Sequence, residues 1–502
     1  MISYRYSFAV SRLFDLEDNI HLPLANSVTT YVELHNSVDD GIRLRFFLIE
    51  YSLLSERYVT YYATRKNCAS PLTMVVDRSI WLHSTLVFGA LSFNFILCFI
   101  DTNMIGVSAL SVVATEIAII SGALIASFPV VGRMHLLLIC ATFLYLLILI
   151  LIRTLQFGDS ELDPKIFRDS MIPFAFFWLG TRVFSLRNAD AIMLVAGALV
   201  TAVAVFEYLF IDVYLRYFNI IMYYVARGSV AAERLEILSS NLFESGIRPE
   251  GRVLFPILGD HRVSSIFLEP VSPGNFALVV FFWAIVRWKV RKVLCVALFS
   301  MALLMIILAD NRFGAFLCLS VVGLVLLPSR LLYLFVACLP FIVICALFGI
   351  AYTFEGVLID NSFVGRLVLS GDILRTFDVR TWLGIGESAR SAFDSGYGYV
   401  ISQVGIFGFS MLWIVFMMLK GADREFFVFR SLTGLYFATV LSVSYSPFTI
   451  KTAALLWFLL GALAVERKTQ TESRAHISAF RSRSARCAGG GRRPSIEFNG
   501  RR

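Results

Sequence analysis

At 502 residues the chain is long enough for several soluble domains, yet 58% of it is hydrophobic and only 16% is charged. Soluble proteins average about 45–50% apolar and about 25% charged residues, so the excess apolar surface needs a bilayer as its solvent. The same balance excludes a disordered chain, a collagen-like chain and a disulfide scaffold, and it leaves the net charge of +8 to be explained by location.

Residues 1–79 read as a polar cytoplasmic segment with eight Lys or Arg and nine Asp or Glu. Its stretch 44–64 is apolar but interrupted by Glu50, Glu56 and Arg57, which predicts an interfacial amphipathic helix rather than a span. Residues 1–20 are mixed and charged, unlike a cleavable signal peptide, so insertion is expected through the first apolar run. A start at Met74 would leave every expected span whole.

Twelve apolar runs follow, near 80–100, 104–131, 134–152, 171–186, 189–211, 270–286, 293–309, 313–327, 331–350, 399–419, 427–445 and 447–465. They are continuously apolar rather than alternating, which predicts about twelve transmembrane helices and not a barrel. With a cytoplasmic N-terminus the short inner loops carry ten Lys or Arg and the short outer segments five. That bias places both termini inside. The two long loops, about 212–269 and 351–398, then share the outer face.

Glu116 lies near the middle of the second run, where an ionisable group marks either a site or a hydrogen-bonded or protonated structural Glu. Asp159, Glu161 and Asp163 alternate in the next outer segment and read as an ordinary polar loop. The first long loop opens with Tyr214, Tyr217, Phe218, Tyr223 and Tyr224, a pattern expected of a helix in the interface with an aromatic belt. It closes with HRVSSIFLEPVSPGNFALVV, where Arg262 and Glu269 flank a short apolar stretch ahead of Pro270, Pro273 and Gly274. His261 reads as an exposed loop residue. Arg312 lies in LADNRFGAF, between two runs joined by almost no loop, so its backbone is expected at the outer membrane edge.

In the second long loop Arg366, Arg375 and Arg380 could grip a phosphate through paired hydrogen bonds. Gly384 and Gly386 make a lone GxG without a phosphate-binding strand–turn–helix context and read as a turn. Asp394, just before the next run, could accept a proton or cap that helix. Residues 466–502 fit a disordered tail with ten Lys or Arg and three acids, which is +7 of the total +8. Such a tail suits anionic headgroups, and nucleic acid is not needed to explain the charge. Six of the eight cysteines lie in apolar runs and read as packing residues; nothing has metal-ligand spacing.

RVSSIFLEPVSPGNFA, DNRFGAF, and the sequence from GRLVLSGDI through WLGIGES to DSGYGYVISQVGIFGF occur in that order on the predicted outer face. In this layout residues 80–465 resemble the O-antigen polymerase and ligase superfamily, in particular its exopolysaccharide polymerase branch. The resemblance implies a GT-C-type membrane glycosyltransferase of the bacterial inner membrane. It implies joining of oligosaccharide repeat units carried on undecaprenyl diphosphate, at the periplasmic side. Chain-length regulators and export-complex proteins would be its partners. Arg262, Arg312 and Arg366 correspond by position to the family's functional arginines. The ligase branch typically carries a His where this chain has Asp394, which favours the polymerase branch. On this reading Arg262, Arg312, Arg366 and Arg380 bind the diphosphate, while Glu269 and Asp394 compete as the base for the acceptor hydroxyl. No metal and no cofactor are called for. The alternatives are an O-antigen ligase, a flippase or transporter of lipid-linked oligosaccharide, and a scaffold of an export complex.

Overall fold

Each of the twelve apolar runs falls on a helix in the computed structural model, which describes residues 71–465 apart from 129–131, 159–164, 184, 231–240, 249–251, 253, 355–362, 388–394 and 422. These helices are α1 (Pro71–Asn103), α2 (Ala109–Ser127), α3 (Arg133–Phe157), α4 (Lys165–Thr181) and α5 (Leu186–Leu209). Two short helices follow, α6 (Ile211–Tyr217) and α7 (Ile220–Ala226). Next come α8 (Val271–Arg287), α9 (Lys292–Leu308), α10 (Arg312–Leu324) and α11 (Ser329–Thr353). The second loop contains α12 (Phe363–Thr376) and α13 (Val379–Trp382), and α14 (Gly396–Met418), α15 (Arg424–Val440) and α16 (Ile450–Ala464) complete the order. The stretch 44–64, the tail 466–502, the trio Asp159, Glu161 and Asp163, and Asp394 lie outside the described residues.

The chain is an α-helical membrane protein. Among the described residues, α2, α3, α5, α11, α14 and the Trp81–Asn103 part of α1 are long and apolar enough to cross a bilayer. Helices α8, α9, α10 and α16 are apolar but shorter. At 1.5 Å per residue a 17-residue helix such as α8 covers about 25 Å, less than a hydrocarbon core of about 30 Å. Helix α1 starts at Pro71, inside the segment expected to stay polar to residue 79. Pro at a first helical position costs no hydrogen bond, and its fixed φ suits a helix start.

Lipid supplies little hydrophobic drive between helices, so close packing and interhelical polar contacts decide the arrangement. The most extensive helix contact, α4 on α16, shows the first. A Cβ on Gly180 would lie 2.0 Å from the Phe458 carbonyl oxygen, and one on Gly461 would lie 1.9 Å from that of Phe177. Only glycine permits this reciprocal backbone approach. At one end of the bundle fully buried Asp190 of α5 shows the second. It accepts from Arg287 Nε at 3.1 Å and from Trp283 Nε1 at 3.1 Å, while Arg287 Nη1 donates to Glu425 at 2.7 Å. The opposite end gathers both long loops. There Asn103 Nδ2 donates to the Tyr217 carbonyl at 2.9 Å and Ser370 Oγ to that of Ser442 at 2.6 Å.

Helix α14 is interrupted at Gly405, whose φ of 68° and ψ of 166° are not helical. An interruption frees carbonyls that lipid cannot satisfy. Helix α3 supplies the partners: Tyr145 donates to the Val404 carbonyl at 2.7 Å, and buried Arg153 to that of Ser402 at 3.3 Å. The GxG turn packs into the break, since a Cβ on Gly384 would meet the Gly405 nitrogen at 2.6 Å.

The tyrosine-rich start of the first loop differs from an interfacial belt. Tyr214 and Tyr223 are fully buried and Tyr224 nearly so, while Tyr217 is exposed. Phe95 of α1 stacks on Phe218 at 4.2 Å between ring centroids and on Tyr214 at 6.5 Å. The loop is thus folded onto α1 as part of the core.

Candidate functional site

The segment from Arg262 to Glu269 is pinned at the loop end of the bundle by groups from several elements. The Arg262 amide donates to the Gly246 carbonyl at 2.8 Å, and the Val263 amide to that of Leu308 at 3.1 Å. Buried Glu207, in the last turn of α5, accepts from the Ser264 amide at 2.9 Å and from the Ser265 amide at 2.6 Å. Tyr214 donates to the Ser265 carbonyl at 2.8 Å. These bonds hold two non-glycine residues in left-handed conformation, Ser265 at φ 52° and Leu268 at φ 64°. Such conformations cost roughly 1–3 kcal/mol each and persist only where the surroundings enforce them.

On one side of this segment lies an arginine cluster. Arg262 is buried, its Nε donating to the Ala309 carbonyl at 3.0 Å and its Nη1 to that of Ser245 at 3.1 Å. Burial and the guanidinium of Arg248 push its pKa down to about 9. Arg366 and Arg312 add to that push, and buried Asp310 opposes it. Arg248 lies 3.4 Å from Asp310. The structure therefore brings Arg262, Arg312 and Arg366 of the sequence reading together, from the first loop, α10 and α12, and adds Arg248. Arg380 is exposed on α13; the guanidiniums beside Arg262 are those of Arg248, Arg312 and Arg366.

The turn that carries Arg312 has its own fixed geometry. Asp310 has φ 45° and accepts from the Leu254 amide at 2.9 Å. Asn311 caps α10 by accepting from the Gly314 amide at 2.7 Å. Gly274 packs directly on Asn311, because a Cβ there would fall 1.6 Å from Asn311 Nδ2. The VSPGN and DNRFG motifs are thus one packed unit. The positive end of the α10 dipole faces the cluster, which also favours an anion there.

On the other side lies a chamber of tyrosines and paired charges. Half-buried Glu269 accepts from Lys451 Nζ at 3.0 Å and from Ser272 Oγ at 2.5 Å. Lys451 also donates to the Phe267 carbonyl at 3.1 Å. Burial raises the Glu269 carboxyl, but Lys451, the Ser272 hydroxyl and Arg227 outweigh it and hold its pKa below the usual glutamate value. Across the chamber Tyr399 of α14 donates to Asp169 at 3.1 Å, and Arg168 donates to Asp169 at 2.8 Å and to Glu116. Lys165 lies 4.5 Å from the Tyr445 ring centroid and 5.1 Å from that of Tyr399. Glu116 is therefore a paired residue among these charges.

Two sequence expectations change here. His261 is half-buried instead of exposed, with Nε2 3.1 Å from Glu207. Burial and Arg252 push its pKa down to about 4, and the Glu207 carboxylate is already engaged by two backbone amides. The helix-capping role considered for Asp394 belongs to Ser395, whose Oγ accepts from the Gly398 amide at 3.1 Å. Glu269, read from the sequence as a candidate base, sits with Lys451 and Arg227. Sequence reasoning passed over Glu207, Arg248, Arg227, Lys451 and Asp169. Glu207 offers the same signal as Glu116, a carboxylate inside an apolar run; Lys451 is one of the five basic residues of the short outer segments.

Among the described residues no group of three or more His, Cys, Asp or Glu is arranged to hold a metal. Comparison with protein-family models, curated proteins and solved structures finds no match to this chain.

Proposed function

We propose that the chain is a membrane glycosyltransferase that polymerises oligosaccharide repeat units carried on undecaprenyl diphosphate. The observation that carries this reading is the convergence of Arg248, Arg312 and Arg366 on Arg262, with Asp310 beside Arg248, at the end of the bundle where both long loops gather. Four neighbouring guanidiniums with one carboxylate among them make a site for a multiply charged anion, and a lipid diphosphate presents one at headgroup depth.

In the reaction the sugar–phosphate bond of the donor breaks and a new glycosidic bond forms to an acceptor hydroxyl. The departing diphosphate gains charge, which fixed guanidiniums stabilise in a partly dehydrated site. The acceptor oxygen loses its proton to a carboxylate. Glu269, which its neighbours keep ionised, is the carboxylate assigned that proton; Asp394 is the alternative. The bond in the donor supplies the driving force, so neither ATP nor a further cofactor enters the scheme.

The same reading takes the twelve helices as spans of a GT-C-type architecture in the bacterial inner membrane, with both termini cytoplasmic. The basic end around Arg287 and Arg291 then faces the cytoplasm. Chain-length regulators and export proteins are its proposed partners.

The interrupted helix α14 favours a second reading, a flippase, because transporters bind substrate at broken helices. Tyr145 and Arg153 give the break a structural use. The test is Arg312→Ala at normal protein level in the producing cell. Loss of polymer is expected; full-length polymer would remove Arg312 from the site.

A further inference from the structure

Between Arg248 and Arg262 the first long loop carries an apolar turn that points away from the protein. Ile257 is 92% exposed and Phe255 46%, with Pro256 exposed between them. The turn has a fixed shape. The Leu258 amide donates to the Phe255 carbonyl and the Gly259 amide to that of Pro256, both at 3.1 Å. Gly259 then turns the chain back at φ 78°, which glycine adopts without strain. The base is closed as well: Ile247 and His261 form an antiparallel bridge, and the Arg248 amide donates to the Asp260 carbonyl at 3.0 Å. A single exposed isoleucine is ordinary on a protein surface. The position of this one is not.

The segment around the turn is tied to the place where three helices end. The Leu254 amide donates to Asp310, in the α9–α10 junction, at 2.9 Å. Buried Arg252 donates to the Ile307 carbonyl near the end of α9 at 3.4 Å, and its guanidinium lies 5.6 Å from the ring centroid of Tyr208 in the last turn of α5. Just past Tyr208, Leu209, Phe210 and Val213 are exposed and make an apolar rim at this end of the bundle. Helices α9 and α10 have 17 and 13 residues, so they cover about 25 and 20 Å of a hydrocarbon core of about 30 Å. Split evenly between its two ends, the deficit of α10 leaves the junction about 5 Å inside the hydrocarbon. Acyl chains therefore stand against the junction, and an apolar turn fastened beside it meets them.

We propose that the turn at residues 255–258 inserts into the headgroup–acyl boundary of the bilayer and anchors the loop that carries Arg248 and Arg262. Lipid is the occupant because the turn continues the exposed apolar rim of α5 and lies beside a junction that short helices leave facing acyl chains. The anchor holds the arginine cluster at headgroup depth and requires no particular ligand there.

The test uses full-length protein in nanodiscs of phosphatidylethanolamine and phosphatidylglycerol. They include a phospholipid with a diazirine near the carboxyl end of one acyl chain. After irradiation, adducts are mapped by mass spectrometry. Label is expected on residues 255–258 and on exposed Phe316, one turn into α10, which serves as the control. Hydrogen exchange in the same nanodiscs reads the anchor. Ile257→Asp alters an exposed side chain, and the Leu254 amide should exchange about tenfold faster while the amides of α10 keep their protection. Ile257→Leu should match the native protein. Label on Phe316 with none on residues 255–258, or exchange that Ile257→Asp leaves unaltered, would place the turn in water and overturn the proposal. A dimer in native nanodiscs that Ile257→Asp dissociates would assign the turn to a second copy of the chain and overturn it as well.

Discussion

Glu207 does at the residue scale what a polar side chain in an apolar helix must do to persist. Its carboxylate takes up the amides of Ser264 and Ser265 and so holds the strained turn ahead of Glu269. Glu207→Leu leaves buried donors without an acceptor and should cost about 2–4 kcal/mol, read as a lower midpoint of thermal unfolding. Lys451 acts through charge. The Glu269 carboxyl is held below the ordinary glutamate value, so its contribution to stability is present above that ordinary value. It is lost as the pH falls through the lower folded value. Lys451→Met removes the main opposing charge and leaves burial, so the acid limb of activity should move to higher pH. An unmoved limb would show that Glu269 does not set it. These roles were only partly legible. Arg262, Arg312 and Glu269 stood out because charge beside an apolar run is costly. Glu207 and Asp169 have partners far along the chain, and no local pattern announces such a pairing.

At the scale of elements, helices were legible from continuous apolar runs, while their lengths and contacts were not. Helix α1 extends back to Pro71, and the tyrosines of α6 and α7 fold onto α1 instead of lying in an interfacial belt. The second outcome depends on tertiary contacts that hydropathy does not encode. The α4–α16 crossing depends on two glycines, Gly180 and Gly461, that look unremarkable in sequence. Gly461→Leu must push the Phe177 backbone away and should destabilise the protein by about 3 kcal/mol or more. Retained thermal stability in lipid would contradict that contact. Gly405→Ala should also destabilise, because φ of 68° and the close Leu383 carbonyl both oppose a side chain.

At the scale of the molecule, the bundle carries its polar surfaces at two opposite ends. One holds the ion pairs of Asp190, Arg287 and Glu425; the other holds the arginine cluster and the tyrosine chamber. The charge bias in short loops predicts that a fluorescent reporter fused after residue 465 matures in the cytoplasm. A reporter active only outside would invert the proposed topology and move the arginines to the cytoplasmic side. The central claim is that this end joins lipid-linked sugars, and one assay addresses it directly. Purified protein in lipid is given a defined undecaprenyl-diphosphate-linked repeat unit, and the products are sized. Longer lipid-linked chains, lost in Arg312→Ala, are the predicted result. Movement of the intact donor across the bilayer with no new glycosidic bond would contradict it.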